Sequence, residues 1–244
     1  MRNIKIIIEY DGTKFNGWQS QPNCRTVQGV LERAINKLTD ENIKIIGAGR
    51  TDGGVHAKGQ AANFITNSSI PGDRFFMALN SVLPNDISIV NSEEVDLDFH
   101  SRYNAKGKIY EYIIYNSRIR SPIYRNYSWH VPLKLDIKSM RSALKYFKGT
   151  HDFRGFMSSG SNVKDTVRTI YDIEISSFAK FIKVKISGNG FLYNMVRIII
   201  GTLVDVGQKN IYVEDIKDII KSKQRENAGK TAKPQGLYLK EVFY

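Results

Sequence analysis

An α+β fold is predicted for this chain, with two related halves sharing a central, mostly antiparallel sheet and helices packed on it. Three observations predict it. Apolar residues recur with strand period and helix period in alternating segments, giving β-α-β-β-α-β through the first half. A similar order returns in the second half. No linker or low-complexity stretch separates the halves, taken as residues 1-104 and 105-244. The repetition is one of element order, since no sequence repeat is visible.

Ile4-Lys5-Ile6-Ile7-Ile8-Glu9-Tyr10 reads as a mostly buried strand, and a Gly/Asn/Pro-rich loop follows to Arg25. Thr26 caps a helix whose apolar face is Val27, Val30, Leu31, Ala34, Ile35 and Leu38. Strands are expected at Ile43–Ala48 and Lys58–Ile65. Pro71 opens a helix carrying Phe75, Phe76, Leu79 and Leu83, which ends before Pro84. Ile87–Val90 is the fourth strand. In the second half, Lys108–Tyr115 is an aromatic strand and Ile137–Phe147 a helix with Asp136 as cap and Gly149 as stop. Thr166–Ser176 and Phe181–Ser187 alternate as a hairpin. Helices from about Tyr193 to Val206 and Val213 to Ser222 precede a closing strand, Leu237–Phe243.

Composition narrows the function. The chain has 244 residues, 41% hydrophobic and 25% charged, which excludes disordered and collagen-like classes. The apolar run Val196 to Val206 is broken by Arg197, Gly201, Thr202 and Asp205, and falls short of the ~20 residues a membrane span needs. No secretory leader is expected, because Met1-Arg2-Asn3-Ile4-Lys5 enters a strand pattern directly. A single cysteine, Cys24, leaves no internal disulfide framework and no multi-cysteine zinc cluster, which fits a reducing cytoplasm. Lysine and arginine outnumber the acids 36 to 24, a formal net charge of +12. Such an excess favours a polyanionic partner, since each cation on a phosphate releases condensed counterions. A solvated basic surface accounts equally well for charge alone.

The densest chemical segment is Gly47-Ala48-Gly49-Arg50-Thr51-Asp52-Gly53-Gly54-Val55-His56-Ala57. It lacks the spacing of a dinucleotide fingerprint, and it lacks the Gly-Lys-Ser/Thr of a phosphate-cradling loop. It presents Arg50 and Asp52. Two readings stand on these residues alone: a displayed reactive carboxylate, or a turn in which Asp52 binds nearby backbone N–H groups and Arg50 is solvated.

This loop closely resembles the catalytic motif Gly-Arg-Thr-Asp-Ala-Gly-Val-His-Ala of the tRNA pseudouridine synthase A family. Tyr10-Asp11-Gly12-Thr13, Phe15, Gly17-Trp18-Gln19, Gln21-Pro22 and Thr26-Val27-Gln28 with Leu31-Glu32 resemble its N-terminal blocks. Ala105 to Tyr115 looks like its tyrosine strand, and Phe191-Leu192-Tyr193-Asn194-Met195-Val196-Arg197 like its C-terminal helix motif. Ala232, Pro234, Gly236-Leu237 and Leu239 resemble its closing strand. Gly53 departs from the usual alanine, and Lys233 stands where a second proline is usual.

The resemblance implies a pseudouridine synthase fold with an RNA-binding cleft between the halves, and isomerisation of uridine to pseudouridine in the anticodon stem-loop of tRNA. It implies no cofactor and no metal, because the reaction loses no atom and no electron. It makes Asp52 the catalytic carboxylate, Arg197 its paired guanidinium, and Tyr110 the ring on the uracil. Arg50 would help extrude the nucleotide, which must leave the stack at a cost of a few kcal/mol. Leu237 would floor the base and His56 shape the loop. Read from the residues alone, Tyr110 and Leu237 are core positions of alternating strands, and Arg197 is a helix-surface cation, although its apolar neighbours make a solvated location less natural. Lys58, Arg25, Arg102, Lys106, Lys108, Arg154, Lys164 and Arg168 are candidate phosphate contacts, or ordinary surface charges. Trp18 is either core or an RNA contact. His56, His100, His130 and His151 form no metal-binding spacing. A homodimer binding one tRNA across both subunits is also implied. The alternatives are the same chemistry on another RNA, such as ribosomal RNA, and a non-catalytic RNA-binding module.

Overall fold

The computed structural model describes residues 1–160 and 163–244, and these form two compact units, residues 1–106 with 238–244, and residues 107–237. In the first unit the elements are β1 (Arg2–Tyr10), α1 (Val27–Thr39), β2 (Ile46–Gly47), β3 (His56–Thr66), α2 (Phe75–Asn80) and β4 (Ile87–Val95). The last strand, β10 (Leu237–Phe243), returns here and lies parallel to β3, pairing Tyr238 with His56 and Leu239 with Ala57. The other ladders are antiparallel, β4 on β1 and β1 on β3. Along β1, alternation puts Ile4, Ile6 and Ile8 in the core with no exposure, a contribution of about 1.5–3 kcal/mol each. Thr26 caps α1 through its hydroxyl, which accepts from the Gly29 N–H.

The expected strand over Ile43–Ala48 shrinks to Ile46–Gly47, and the reason is visible in the polar bookkeeping. The Ile43 and Ile45 N–H groups donate to Asn36 Oδ1 at 2.8 Å and Glu32 Oε1 at 3.2 Å, both side chains of α1. Ile43 and Ile45 are buried as an alternating strand would bury them, but α1 takes the backbone donors that a ladder would have used. The helix opened by Pro71 begins with a 3-10 turn, Gly72–Arg74, and its α portion stops at Asn80. The fourth strand runs five residues beyond the predicted end, to Val95.

In the second unit the elements are β5 (Gly107–Asn116), β6 (Trp129–Val131), α3 (Ile137–Phe147), β7 (Gly149–Asp152), β8 (Val167–Phe178), β9 (Phe181–Gly188), α4 (Met195–Gly207) and α5 (Ile216–Ser222). Strands β5, β9, β8 and β7 follow one another antiparallel, and β6 lies parallel to β5. Neither β6 nor β7 is apparent from periodicity, each being too short to show an alternation. α3 ends at Phe147 as expected, but the stop comes one residue ahead of Gly149, because the C-cap Lys148 is already extended, and Gly149, at φ +101°, opens β7. The predicted helix from Tyr193 starts two residues later, because Asn194 adopts the left-handed conformation at φ 61°. Likewise α5 starts at Ile216 rather than Val213, after a turn in which the Tyr212 N–H donates to Asp215 Oδ2.

Candidate active site

The glycine-rich loop is held by its neighbours rather than by its own sequence. The Trp18 N–H donates to the Thr51 carbonyl at 3.0 Å, the Gly54 N–H to Phe15 O, and the Val55 N–H to Asp52 O. Gly17, at φ +85°, makes this approach possible, since a Cβ there would stand 2.6 Å from the Thr51 carbonyl oxygen. Trp18 itself is 3% exposed, so it is core.

Beneath the loop runs a buried polar network that the sequence did not announce. The hydroxyls of Tyr10 on β1 and Thr51 lie 2.7 Å apart and share a hydrogen bond. Gln60 on β3, fully buried, donates from Nε2 to the Gly49 carbonyl at 2.9 Å. Burial drives the Tyr10 phenol well above its ordinary pKa, and the hydrogen bond to Thr51 opposes this only in part. The ring therefore stays protonated at neutral pH and remains a donor. Gly49 and Thr51 are thus both gripped from the sheet, and Arg50 between them and Asp52 after them are presented by a fixed backbone. Tyr10→Phe leaves a buried hydroxyl without its partner; we expect a loss of about 1–3 kcal/mol in unfolding free energy, read as a lower urea midpoint at unchanged slope.

Asp52 is half-buried at the end of this clamp, and Arg50 is exposed, with no ion-pair partner among the described residues. His56 is 2% exposed. Its Nδ1 lies 3.0 Å from the Gly12 N–H, which donates to it, and 3.2 Å from an Asp11 carboxylate oxygen. The imidazole stacks on Tyr238 with centroids 4.8 Å apart. Lys58 sets its ammonium 5.1 Å from the centre of the same tyrosine ring. His56, Lys58 and Tyr238 thus form one ladder at the strand that follows the loop. Arg25, a candidate phosphate contact, is committed elsewhere. It forms a two-pronged pair with Asp86, both contacts 2.8 Å, and lies 4.1 Å over the Phe15 ring.

In the second unit, Arg197 sits in the first turn of α4, half-buried. Its Nε donates to the Ala232 carbonyl at 2.8 Å and its Nη1 to Asn194 Oδ1 at 2.6 Å. The Ala232 N–H returns a bond to the Arg197 carbonyl at 3.1 Å. The guanidinium is therefore oriented by at least these two oxygens. Half-buried and hydrogen-bonded through two of its nitrogens, Arg197 is not a fully solvated helix-surface cation. Tyr112, fully buried on β5, donates its hydroxyl to the Lys233 carbonyl at 2.6 Å. Burial raises its pKa well above the usual value, against the opposing pull of Arg197. The turn at Lys233 is thus tied down without a proline in that position.

Tyr110, 8% exposed and two residues earlier on β5, takes the edge of Phe191 at a centroid distance of 5.2 Å. Leu237 is 6% exposed. Phe191 and Asn194, which hold Tyr110 and Arg197, were legible only as members of a matching block. Tyr10 likewise belongs to a quoted block, but nothing in its sequence context pointed to Thr51.

The tRNA pseudouridine synthase family model matches residues 6–104 and 143–244. Among proteins named tRNA pseudouridine synthase A, that of Acetivibrio thermocellus is 58% identical over 244 residues, and those of Thermoanaerobacter sp. (strain X514) and Clostridium botulinum (strain Alaska E43 / Type E3) are 52% and 54% identical. Each alignment covers 100% of both chains. A match of this extent, spanning the clamped Asp52 loop, the β5 tyrosines and the Arg197 helix together, shows that the chain belongs to the tRNA pseudouridine synthase family.

Proposed function

We infer that this protein isomerises uridine to pseudouridine in tRNA. The reaction breaks the bond from ribose C1′ to N1 of uracil, turns the base, and joins C1′ to C5; N1 gains a hydrogen and C5 gives one up to solvent. A carboxylate acting as nucleophile opens that route, and we assign the role to Asp52. The observation that carries the assignment is the clamp: Thr51 is fixed through both its carbonyl and its hydroxyl, so the next residue's carboxylate is delivered from a rigid base. Arg197 is proposed as the cation that keeps the carboxylate ionised. Tyr110 is proposed as the ring that receives the uracil, and Leu237 as its apolar floor. Arg50, exposed and unpartnered among the described residues, is proposed to meet the RNA as the nucleotide leaves its stack. Lys58 and His56 are proposed to support substrate binding beside the loop, Lys58 through a phosphate.

The proposed target is the anticodon stem-loop, in the cytoplasm, by a homodimer. Family membership, the single cysteine and the +12 charge support this reading. No helix among the described residues is long and apolar enough to cross a membrane. Mapping pseudouridine across total RNA from cells lacking the gene tests the substrate. Loss at anticodon-arm uridines is expected, and loss confined to ribosomal RNA would overturn the tRNA assignment. A sharper test of Arg197 is its replacement by lysine, which keeps the charge but cannot hold Ala232 O and Asn194 Oδ1 with two nitrogens of one rigid plane. Arg197→Lys is expected to lower turnover about tenfold or more, measured by quantifying pseudouridine in single-turnover time courses.

A further inference from the structure

The segment from Asp96 to Asn104 is a surface loop built with the rigidity of a core element. Asn3, 1% exposed on β1, donates from its amide to the carbonyls of Asp96 and Phe99, both at 2.9 Å. Asn63, 2% exposed on β3, accepts from the Ser101 N–H at 2.9 Å and bonds Asn3 at 3.0 Å. Ser101 is fully buried, and its carbonyl accepts from the Tyr244 hydroxyl at 2.9 Å. Burial pushes that phenol up to about 12, so it remains a donor across the neutral range. Phe99 packs on Tyr244 at 5.0 Å. Two buried amides and a phenol are a large polar investment for a loop, and burying such groups is tolerated only when each is satisfied.

What this scaffold displays is an aromatic ring. The His100 N–H donates to Asn104 Oδ1 at 2.6 Å, and the Asn104 N–H to the His100 carbonyl at 3.0 Å. His100 Nδ1 accepts from the N–H groups of Arg102 and Tyr103, at 3.2 and 3.3 Å. The imidazole is thereby fixed, and Tyr103 lies against it with centroids 4.2 Å apart and planes 32° apart. The Arg102 guanidinium carbon is 5.7 Å from the tyrosine ring centre. Tyr103 nevertheless stays 75% exposed. A ring backed by an imidazole, accompanied by a guanidinium and otherwise bare is the arrangement on which an unpaired nucleobase stacks. The local charge argues against simple phosphate tracking, because Asp96 and Asp98 outweigh Arg102 within this loop.

We propose that Tyr103, held by His100, is a stacking platform for an unpaired base of the substrate RNA, separate from the reacting uridine. The proposal rests on the tRNA reading above. Its test uses the full-length protein, an unmodified tRNA transcript, filter binding at several salt concentrations, and turnover by hydrogen release from uridine C5. Tyr103→Ala and Tyr103→Leu are both expected to raise Kd and KM about 5- to 100-fold. In both, kcat is expected to stay within about twofold, with the dependence of binding on salt unchanged, while Tyr103→Phe behaves as wild type. Wild-type affinity in Tyr103→Ala overturns the platform. So does full binding by Tyr103→Leu with loss in Tyr103→Ala, which would mark an apolar contact without stacking. A changed oligomeric state with unchanged RNA affinity would make the ring a contact between copies of the chain, and also overturns it. If the wild-type chain itself turns over tRNA while the Tyr103 variants bind normally, only the platform falls. If wild type neither binds nor modifies tRNA, the functional reading falls first and takes the platform with it.

Discussion

Asp52→Ala is expected to abolish release of tritium from tRNA carrying 5-tritiated uridine, while affinity for that tRNA stays near wild type. Forming pseudouridine replaces the C5–H bond by C5–C1′, so every turnover must shed one hydrogen from C5, and the label counts turnovers directly. Removing the only group assigned to attack the nucleoside should cost about a thousandfold or more, roughly 4 kcal/mol or more of transition-state stabilisation. The main-chain clamp does not depend on the Asp52 side chain. Trp18 grips Thr51 O, Tyr10 grips the Thr51 hydroxyl, and Val55 N–H binds the Asp52 carbonyl rather than its carboxylate. The main-chain bonds of the clamp stay available after truncation at Cβ, and an unchanged urea midpoint and tRNA affinity in Asp52→Ala would separate lost chemistry from a collapsed loop. A truncated protein that binds normally and still releases tritium would remove Asp52 from the chemistry.

How much of this site the sequence disclosed depends on whether a residue works through its own chain neighbourhood or through distant partners. Arg50, Asp52 and the glycines around them stand in one eleven-residue stretch and are visible as a unit. The clamp is different. Tyr10 and Thr51 are 41 positions apart, and their 2.7 Å contact exists only because β1 and β3 pair. No local pattern marks a strand tyrosine as a brace, because burial in a sheet explains it equally well. The secondary structure divides in the same way. α1, α3 and the β8–β9 hairpin were legible because their caps and periodicity are local. Ile43–Ala48 departs from the expected strand because its alternation reports burial, whereas ladder formation depends on what Asn36 and Glu32 do with the backbone. The Tyr103 loop belongs to the same class, since its rigidity comes from Asn3 and Asn63 on two other strands.

Gly201→Ala should be among the most damaging single-methyl changes the chain can suffer. A Cβ at this position in α4 would stand 1.6 Å from the Lys230 carbonyl oxygen, and that oxygen belongs to backbone, which cannot rotate away. Either α4 or the segment around Lys230 must move. Moving α4 disturbs a helix whose residues Ile198, Ile199, Ile200, Leu203 and Val204 are at most 1% exposed. Moving the other side shifts Ala232, whose carbonyl holds Arg197 Nε and whose N–H holds the Arg197 carbonyl. Overpacking of this kind costs about 1–3 kcal/mol where side chains can yield, and the rigid partner here puts the expectation at about 3 kcal/mol or more. For a chain of this length that corresponds to a fall in Tm of roughly 6–12 °C, measurable by thermal denaturation. Arg197 rides on α4 and Ala232 on the Lys230 side, so either relaxation strains the Arg197–Ala232 bonds, and turnover of the folded fraction is expected to drop along with stability. A Tm within about a degree of wild type would show that the approach of Lys230 to α4 is looser than 1.6 Å allows, and the account of how Arg197 is held would fail with it.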